Sequence, residues 1–180
     1  PSGWVSVRNT STEAAQSLET FVKVASGEPA NYAFTWATSA KAVGGIAAYT
    51  GGHQTTPIDV STGNTGASGT PTGLGLTVAN DGSMLFFVAN QSAGGTAGSM
   101  TPPSGMTERW DVNTTTGSSD LEESADAAVN AGATGDKAAT STRTTGWSAQ
   151  LIAIAPAATA TFVRNRPTIA RQAVNRAGSY

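Results

Sequence analysis

Six carboxylates fall between positions 108 and 126 of this 180-residue chain, and five of them, Glu108, Asp111, Glu122, Glu123 and Asp126, are the candidates for paired-acid chemistry. Two such groups flanking a glycosidic bond are the machinery of a glycosidase, one serving as acid and the other as base or nucleophile. Nothing in the sequence sets their separation, and ordinary surface acids have the same spelling. The same stretch, "DVNTTTGSSDLE", also offers oxygens at Asp111, Asn113, Thr115 and Glu122 in a loose calcium-loop spacing. An EF-hand needs glycine where Thr116 stands, and no flanking helices are evident. The only histidine, His53, lies in "TGGHQTTP", a turn with no nucleophile elbow, and reads as a solvated loop residue. No glycine-rich phosphate loop precedes a helix. The chain is therefore read as non-enzymatic, with no catalytic residue, no cofactor and no metal expected.

The aromatic residues are the other source of chemistry, because exposed rings stack on sugars. Trp4 and Trp36 have pattern reasons to be core, whereas Trp110, in "ERWDV", is the candidate ligand-facing aromatic.

The elements that must position these residues are strands. "SLETFVKVAS" alternates Leu18, Thr20, Val22 and Val24 against Glu19, Phe21 and Lys23, and "NYAFTWAT" places Tyr32, Phe34 and Trp36 on one face. "SGEPA" between them is turn chemistry. "GGIAAYTGG" and "AQLIAIAP" are short apolar runs, and "NDGSMLFFVAN" is a turn feeding a buried strand. "NTSTEAAQSLE", with capping-box spacing, and "SDLEESADAAVNAG", rich in helix formers, could instead be helices.

An internal repeat decides for strands. "PSGW" at 1–4 and "PSGM" at 103–106 each precede a polar-apolar alternation. Aligning them lays Leu121 and Glu122 on Leu18 and Glu19, and "AQLIAI" on "GGIAAY". The expected fold is an all-β sandwich of jelly-roll type, residues 1–156, with half-repeats at about 1–51 and 74–156. Residues 52–73 are an ordered crossover along the sandwich edge, with Ile58 and Val60 tucked in. Because "PSGM" follows a strand and a glycine-rich loop, the first copy is expected to have lost its own preceding strand, or to receive one from another chain.

Composition narrows the class. Charged residues are only 12% and there is no cysteine, so disulfides and thiolate zinc sites are excluded. No run approaches the roughly 18–20 apolar residues that span a bilayer, and no signal peptide is visible. The net charge of −2 divides unevenly. Residues 161–180 carry four arginines and no acid, +4, while the rest of the chain carries −6. That split tells against a nucleic-acid binder, and neither nucleic acid nor membrane is expected as a partner. The arm, 157–180, is read as partner-binding through Arg164, Arg166, Ile169, Arg171, Val174, Arg176 and Tyr180. Pro167 to Gly178 could form a short helix that needs a surface to lie on.

The words "PSGWVSVRN", "VKVASGEPANYAFTWATSAKAVGGIAAYTG", "TPPSGMTERWD" and "AGATGDKAATSTRTTGWSAQLIAI" resemble a repeated β-sandwich module of tailed-bacteriophage virion proteins and some secreted bacterial surface proteins. The resemblance covers about 1–156, rests on Gly, Pro and Trp positions, and departs at Met106, where a Trp is expected. It implies a virion or extracellular setting and a structural or adhesive role, with no active-site residues to carry over. It leaves the arm outside, and arms of this kind in virion proteins commonly anchor a subunit to its neighbour. The favoured expectation is a capsid-decorating or tail-associated virion subunit, a homo-oligomer whose partners are capsid or tail proteins. The alternative is a carbohydrate-binding or adhesion module of a secreted or surface bacterial protein, with a host-surface glycan as partner.

Overall fold

The computed structural model describes residues 1–12, 16–35, 41–93, 98–114 and 119–158. The strands are β1 Val5–Thr12, β2 Gln16–Val22, β3 Ile58–Ala67, β4 Thr72–Gly73, β5 Thr77–Val78, β6 Ser83–Ala93, β7 Met100–Thr101, β8 Thr107–Asn113, β9 Ser119–Val129, β10 Gly132–Ala133, β11 Lys137–Ala138, β12 Thr140–Ser141 and β13 Gly146–Ile154. The described residues contain no helix, and every strand pair among them is antiparallel. The all-β expectation holds, and the described residues of both segments that could have been helices lie mainly in strands, β1 and β2 in the first and β9 in the second.

One five-stranded sheet, ordered β3-β13-β6-β9-β8, is the frame. Alternate residues of its strands point to opposite faces. On one face Leu85, Phe87 and Ala89 of β6 lie beside Ala153, Leu151 and Ala149 of β13, and all six are fully buried. Leu76, Val78, Met100 and Ala139 close over them from the connecting segments, which are held by the short pairs β4–β11, β5–β10 and β7–β12. Each large side chain so buried contributes roughly 1.5–3 kcal/mol. The opposite face is covered by the β1–β2 ribbon, which packs on β3, β13 and β6. Leu18 seals that contact.

Two buried glutamines tie these layers together. Gln150 donates to the Leu18 carbonyl at 2.9 Å and to Thr10 Oγ1 at 3.1 Å, and accepts from Thr20 Oγ1 at 2.7 Å. Gln91, on the other face, donates to the Ser68 and Thr145 carbonyls at 3.0 and 2.9 Å and accepts from Ser141 Oγ. A buried amide with its bonds made fixes one docking of its layer, because any shift strands it without water.

Three sequence expectations are corrected. Residues 31–35 form no strand, although the alternation persists: Tyr32 and Phe34 are half-buried between exposed neighbours. Their rings pack edge-on around Trp4, at 5.2 and 5.7 Å between centroids, so packing of individual side chains replaces a ladder. Trp4 itself is only half-buried in this peripheral cluster, and Trp36 lies outside the described residues. Residues 44–50 form no strand either; this segment crosses the sheet as a strap, described below. The third correction concerns the crossover, which contains β3, a full ten-residue strand paired with β13 along its length. Its Gly-Ser-Thr composition suits an edge position, where no residue is fully buried. Val60 packs on the core and Ile58 is half-buried.

The repeated tripeptide makes the same turn twice. Trp4 N–H donates to the Pro1 carbonyl, and Met106 N–H to the Pro103 carbonyl. Gly3 and Gly105 sit at φ 81° and 78°, the positive value that the third residue of a type II turn requires. A bulged hairpin follows each turn, with the irregularity between Ser6 and Arg8 in one and between Glu108 and Trp110 in the other. Beyond the bulge Asn9 faces Glu19, and Asp111 faces Glu123. Glu123, rather than Glu122, thus takes the place of Glu19, one residue away from the sequence alignment.

Candidate functional site

The acids converge on the β8–β9 hairpin, but the sheet divides them. Successive residues of a strand face opposite ways, so Glu122 and Glu123 lie on different faces. Glu122 and Asp126 share the face under the strap at 45–49, where Asp126 pairs with Phe86 of β6. Glu123 is on the core face, directly opposite Asp111.

On the strap face the bulge governs geometry. A bulge adds a residue and re-aims its neighbours; here Arg109 is the extra residue. Its Nε and Nη2 donate to the two oxygens of Asp126 at 2.5 and 2.6 Å. Tyr49 of the strap donates its hydroxyl to the same carboxylate at 2.7 Å. Burial pushes Asp126 up, but the Arg109 and Tyr49 bonds outweigh it and hold the carboxyl below its ordinary range. Burial and then the Asp126 bond push the Tyr49 phenol well above its usual value.

Trp110 donates its indole N–H to Glu122 Oε1 at 2.9 Å, and its ring packs 6.0 Å from Phe86. Gly45 crosses the indole so closely that a Cβ there would stand 2.5 Å from it. The candidate ligand-facing aromatic is therefore half-buried and roofed by the strap. Burial raises the Glu122 carboxyl to about 7, against the lowering effect of the Trp110 bond. A depression of about 300 Å³ lies between the strap and the sheet, lined by Ile46, Tyr49, Met84, Arg109 and Trp110.

On the core face Glu123 is wholly buried, and neither of its oxygens has a hydrogen-bond partner. Burial first, then the charges of Glu108 and Asp111, raise it to about 8. Asp111 accepts from Met100 N–H at 3.1 Å; burial is the main cause holding it above its ordinary range.

The sheet sets the candidate carboxylates at different separations. Glu122 and Asp126 are four residues apart on one strand, roughly 13 Å along it, against about 5–9.5 Å for a catalytic pair. Glu123 has Asp111 opposite but no exposure to substrate. Of the calcium-loop oxygens, Thr115 lies outside the described residues, as does Thr116, and the described acids and histidine form no cluster able to hold a metal. His53 Nδ1 receives the N–H groups of Thr55 and Thr56 at 3.3 and 3.1 Å, a turn cap. Arg109 and Tyr49 were not singled out in the sequence; the usable signal was that Arg109 stands where the first hairpin has Val7.

The arm residues Arg164, Arg166, Ile169, Arg171, Val174, Arg176 and Tyr180 lie outside the described residues, but the place where the arm leaves the body is defined. Pro156 bridges Gly52, and Ala157 N–H donates to the Gly51 carbonyl at 2.7 Å. Beside this root is a depression of about 530 Å³ whose lining includes His53, Ile58, Asp59, Asn80, Asp81 and Ala157.

No protein-family model, curated protein or solved structure matches this chain. Among the described residues no helix is long and apolar enough to cross a membrane.

Proposed function

We propose that this chain is a structural subunit of a tailed-bacteriophage particle, capsid-decorating or tail-associated, in which the sandwich is presented outward and the C-terminal arm holds it to capsid or tail proteins. The observation that carries the reading is the strand from which the arm emerges. β13 is the second strand of the main sheet, hydrogen-bonded on both sides and buried over seven consecutive residues. An arm rooted there transmits load to the whole sheet rather than to a fraying edge. Its charge, +4 against −6 for the rest, suits attachment to an acidic surface. The sequence resemblance points the same way. Removing residues 164–180 is the test: the body should remain folded and monodisperse but fail to join particles. Particles that carry the truncated chain at full occupancy would overturn the proposal.

A second reading, glycan binding, has one observation in its favour: Tyr49, Arg109 and Trp110 around the 300 Å³ depression. Against it stand the roof at Gly45 and the engagement of Arg109 and Tyr49 with Asp126. Millimolar titration of a glycan panel should leave the Trp110 indole N–H resonance unmoved; a saturable shift would favour this second reading.

A further inference from the structure

We infer that the depression at the root of the arm is the receptor for the first part of the arm, residues 162–166, of a second copy of this chain. This rests on the arm being the assembly device and names where it docks.

The depression has a volume within the roughly 300–1,000 Å³ of binding clefts. Its lining holds Asp59 and Asp81 and neither lysine nor arginine. Asp59 accepts from Ala79 N–H at 2.7 Å and Asp81 from Ala131 N–H at 2.9 Å. Each uses one carboxylate oxygen on the backbone, which fixes the side chain and leaves the second oxygen for an incoming donor. Ile58 and Ala157 add apolar surface to the same lining.

The arm has the complementary pattern. Bound as an extended segment, in which residues two apart share a face, it would present Phe162, Arg164 and Arg166 together: one apolar group and two guanidinium groups. Arginine suits carboxylate partners because its fork donates to both oxygens or to neighbouring acids.

The donor is a neighbour because of the residues next to the root. From Ala157 to Arg166 the chain has neither Gly nor Pro, and Thr159, Thr161, Phe162 and Val163 are strand-favouring residues. A return into the chain's own depression, which its own Ala157 lines, would require a tight reversal that this sequence lacks. From Ala158 to Arg166 the chain can extend about 27 Å, so the receptor belongs to an adjacent copy whose own root lies within that distance.

Two full-length variants test the proposal, and the natural absence of cysteine makes the readout clean. Asn80→Cys places a thiol on the exposed rim, and Asn165→Cys places one on the arm without removing an arginine. Mixed under mild oxidation, the two chains should give a disulfide-linked dimer. The double substitution Asp59→Asn and Asp81→Asn keeps both backbone bonds and removes the charge. It should weaken self-association about tenfold at low salt and abolish the cross-link. A chain carrying both cysteines that closes on itself at high dilution, with no mixed dimer, would overturn the second-copy assignment. No cross-link at all, with arm-dependent assembly intact, would overturn the receptor and leave the arm's role standing. Assembly that persists without residues 164–180 sinks the proposed function itself.

Discussion

The two hairpins that follow the repeated tripeptide begin alike and end in different chemistry. Each opens with the same turn and has its bulge at the same place. In the first, Arg8 follows the bulge and reaches out of the hairpin, donating to the Ser61 carbonyl at 2.6 Å and to Ser61 Oγ at 3.1 Å. That contact pins the ribbon to β3. In the second, Trp110 follows the bulge and turns back on its own hairpin, to Glu122. The acids diverge further. Glu19 is exposed and accepts from Ser6 Oγ, whereas Glu123, at the same ladder position, is sealed inside the core without a donor. A turn and a bulge set where a side chain projects; what lies over it sets whether it is a surface acid or a buried one.

The largest way to break the comparison is to empty the second hairpin's core contact. Leu121→Ala should cost about 2–5 kcal/mol in urea unfolding, because Leu121 is fully buried beneath the covering segments. Leu18→Ala should fall at the lower end of that range. Its loss should appear first as faster hydrogen exchange in β1 and β2, since the ribbon can loosen without opening the sheet.

Next in size is the Asp126 contact. Asp126→Ala should cost about 1–3 kcal/mol by leaving Arg109 and Tyr49 without their acceptor, and should raise exchange in residues 45–49. Because the Asp126 carboxyl is held below its ordinary value, its contribution is present above pH 4 and is lost as pH falls through its folded pKa. The variant should therefore lose less than the parent on acidification.

Glu123 works in the opposite sense. An acid raised to about 8 in the folded state binds its proton more tightly when folded, so stability declines as pH rises from about 4.5 to 8. Glu123→Gln removes that decline. A gain of at least about 1 kcal/mol at pH 9, shrinking towards pH 5, is expected. A variant no more stable than the parent at pH 9 would mean that Glu123 is not buried as an isolated acid. Glu122, raised to about 7, bends the parent's profile in the same direction.

The smallest effect sharpens the contrast. Glu19→Gln, at the equivalent ladder position in the first hairpin, should change stability by less than about 0.5 kcal/mol.

Much of this was legible in residues that act locally. The Gly3 and Gly105 turns, the Asn-Asp-Gly turn into β6 and the alternation of β2 follow from dihedral freedom and period-two spacing within a few residues. The strand at β9 was readable only through the repeat, since its Ala and Glu content favours helix. Even there the register slipped by one residue, because ten positions separate Asn9 from Glu19 but twelve separate Asp111 from Glu123, and the length of a connection leaves no trace in composition. β3 was missed for a related reason: an edge strand needs a partner more than it needs apolar residues, and β13 lies some ninety residues further along the chain. The acids were named correctly as a group but not by face. By itself, then, the amino-acid sequence determined the all-β class, the turns, the two most apolar strands and the charged arm, all properties of short windows. The tertiary structure alone decided which acids are buried, that Trp110 is roofed by Gly45, and that Gln150 and Gln91 tie the layers. Those outcomes depend on contacts between residues tens to more than a hundred positions apart, and nothing local to either partner encodes them.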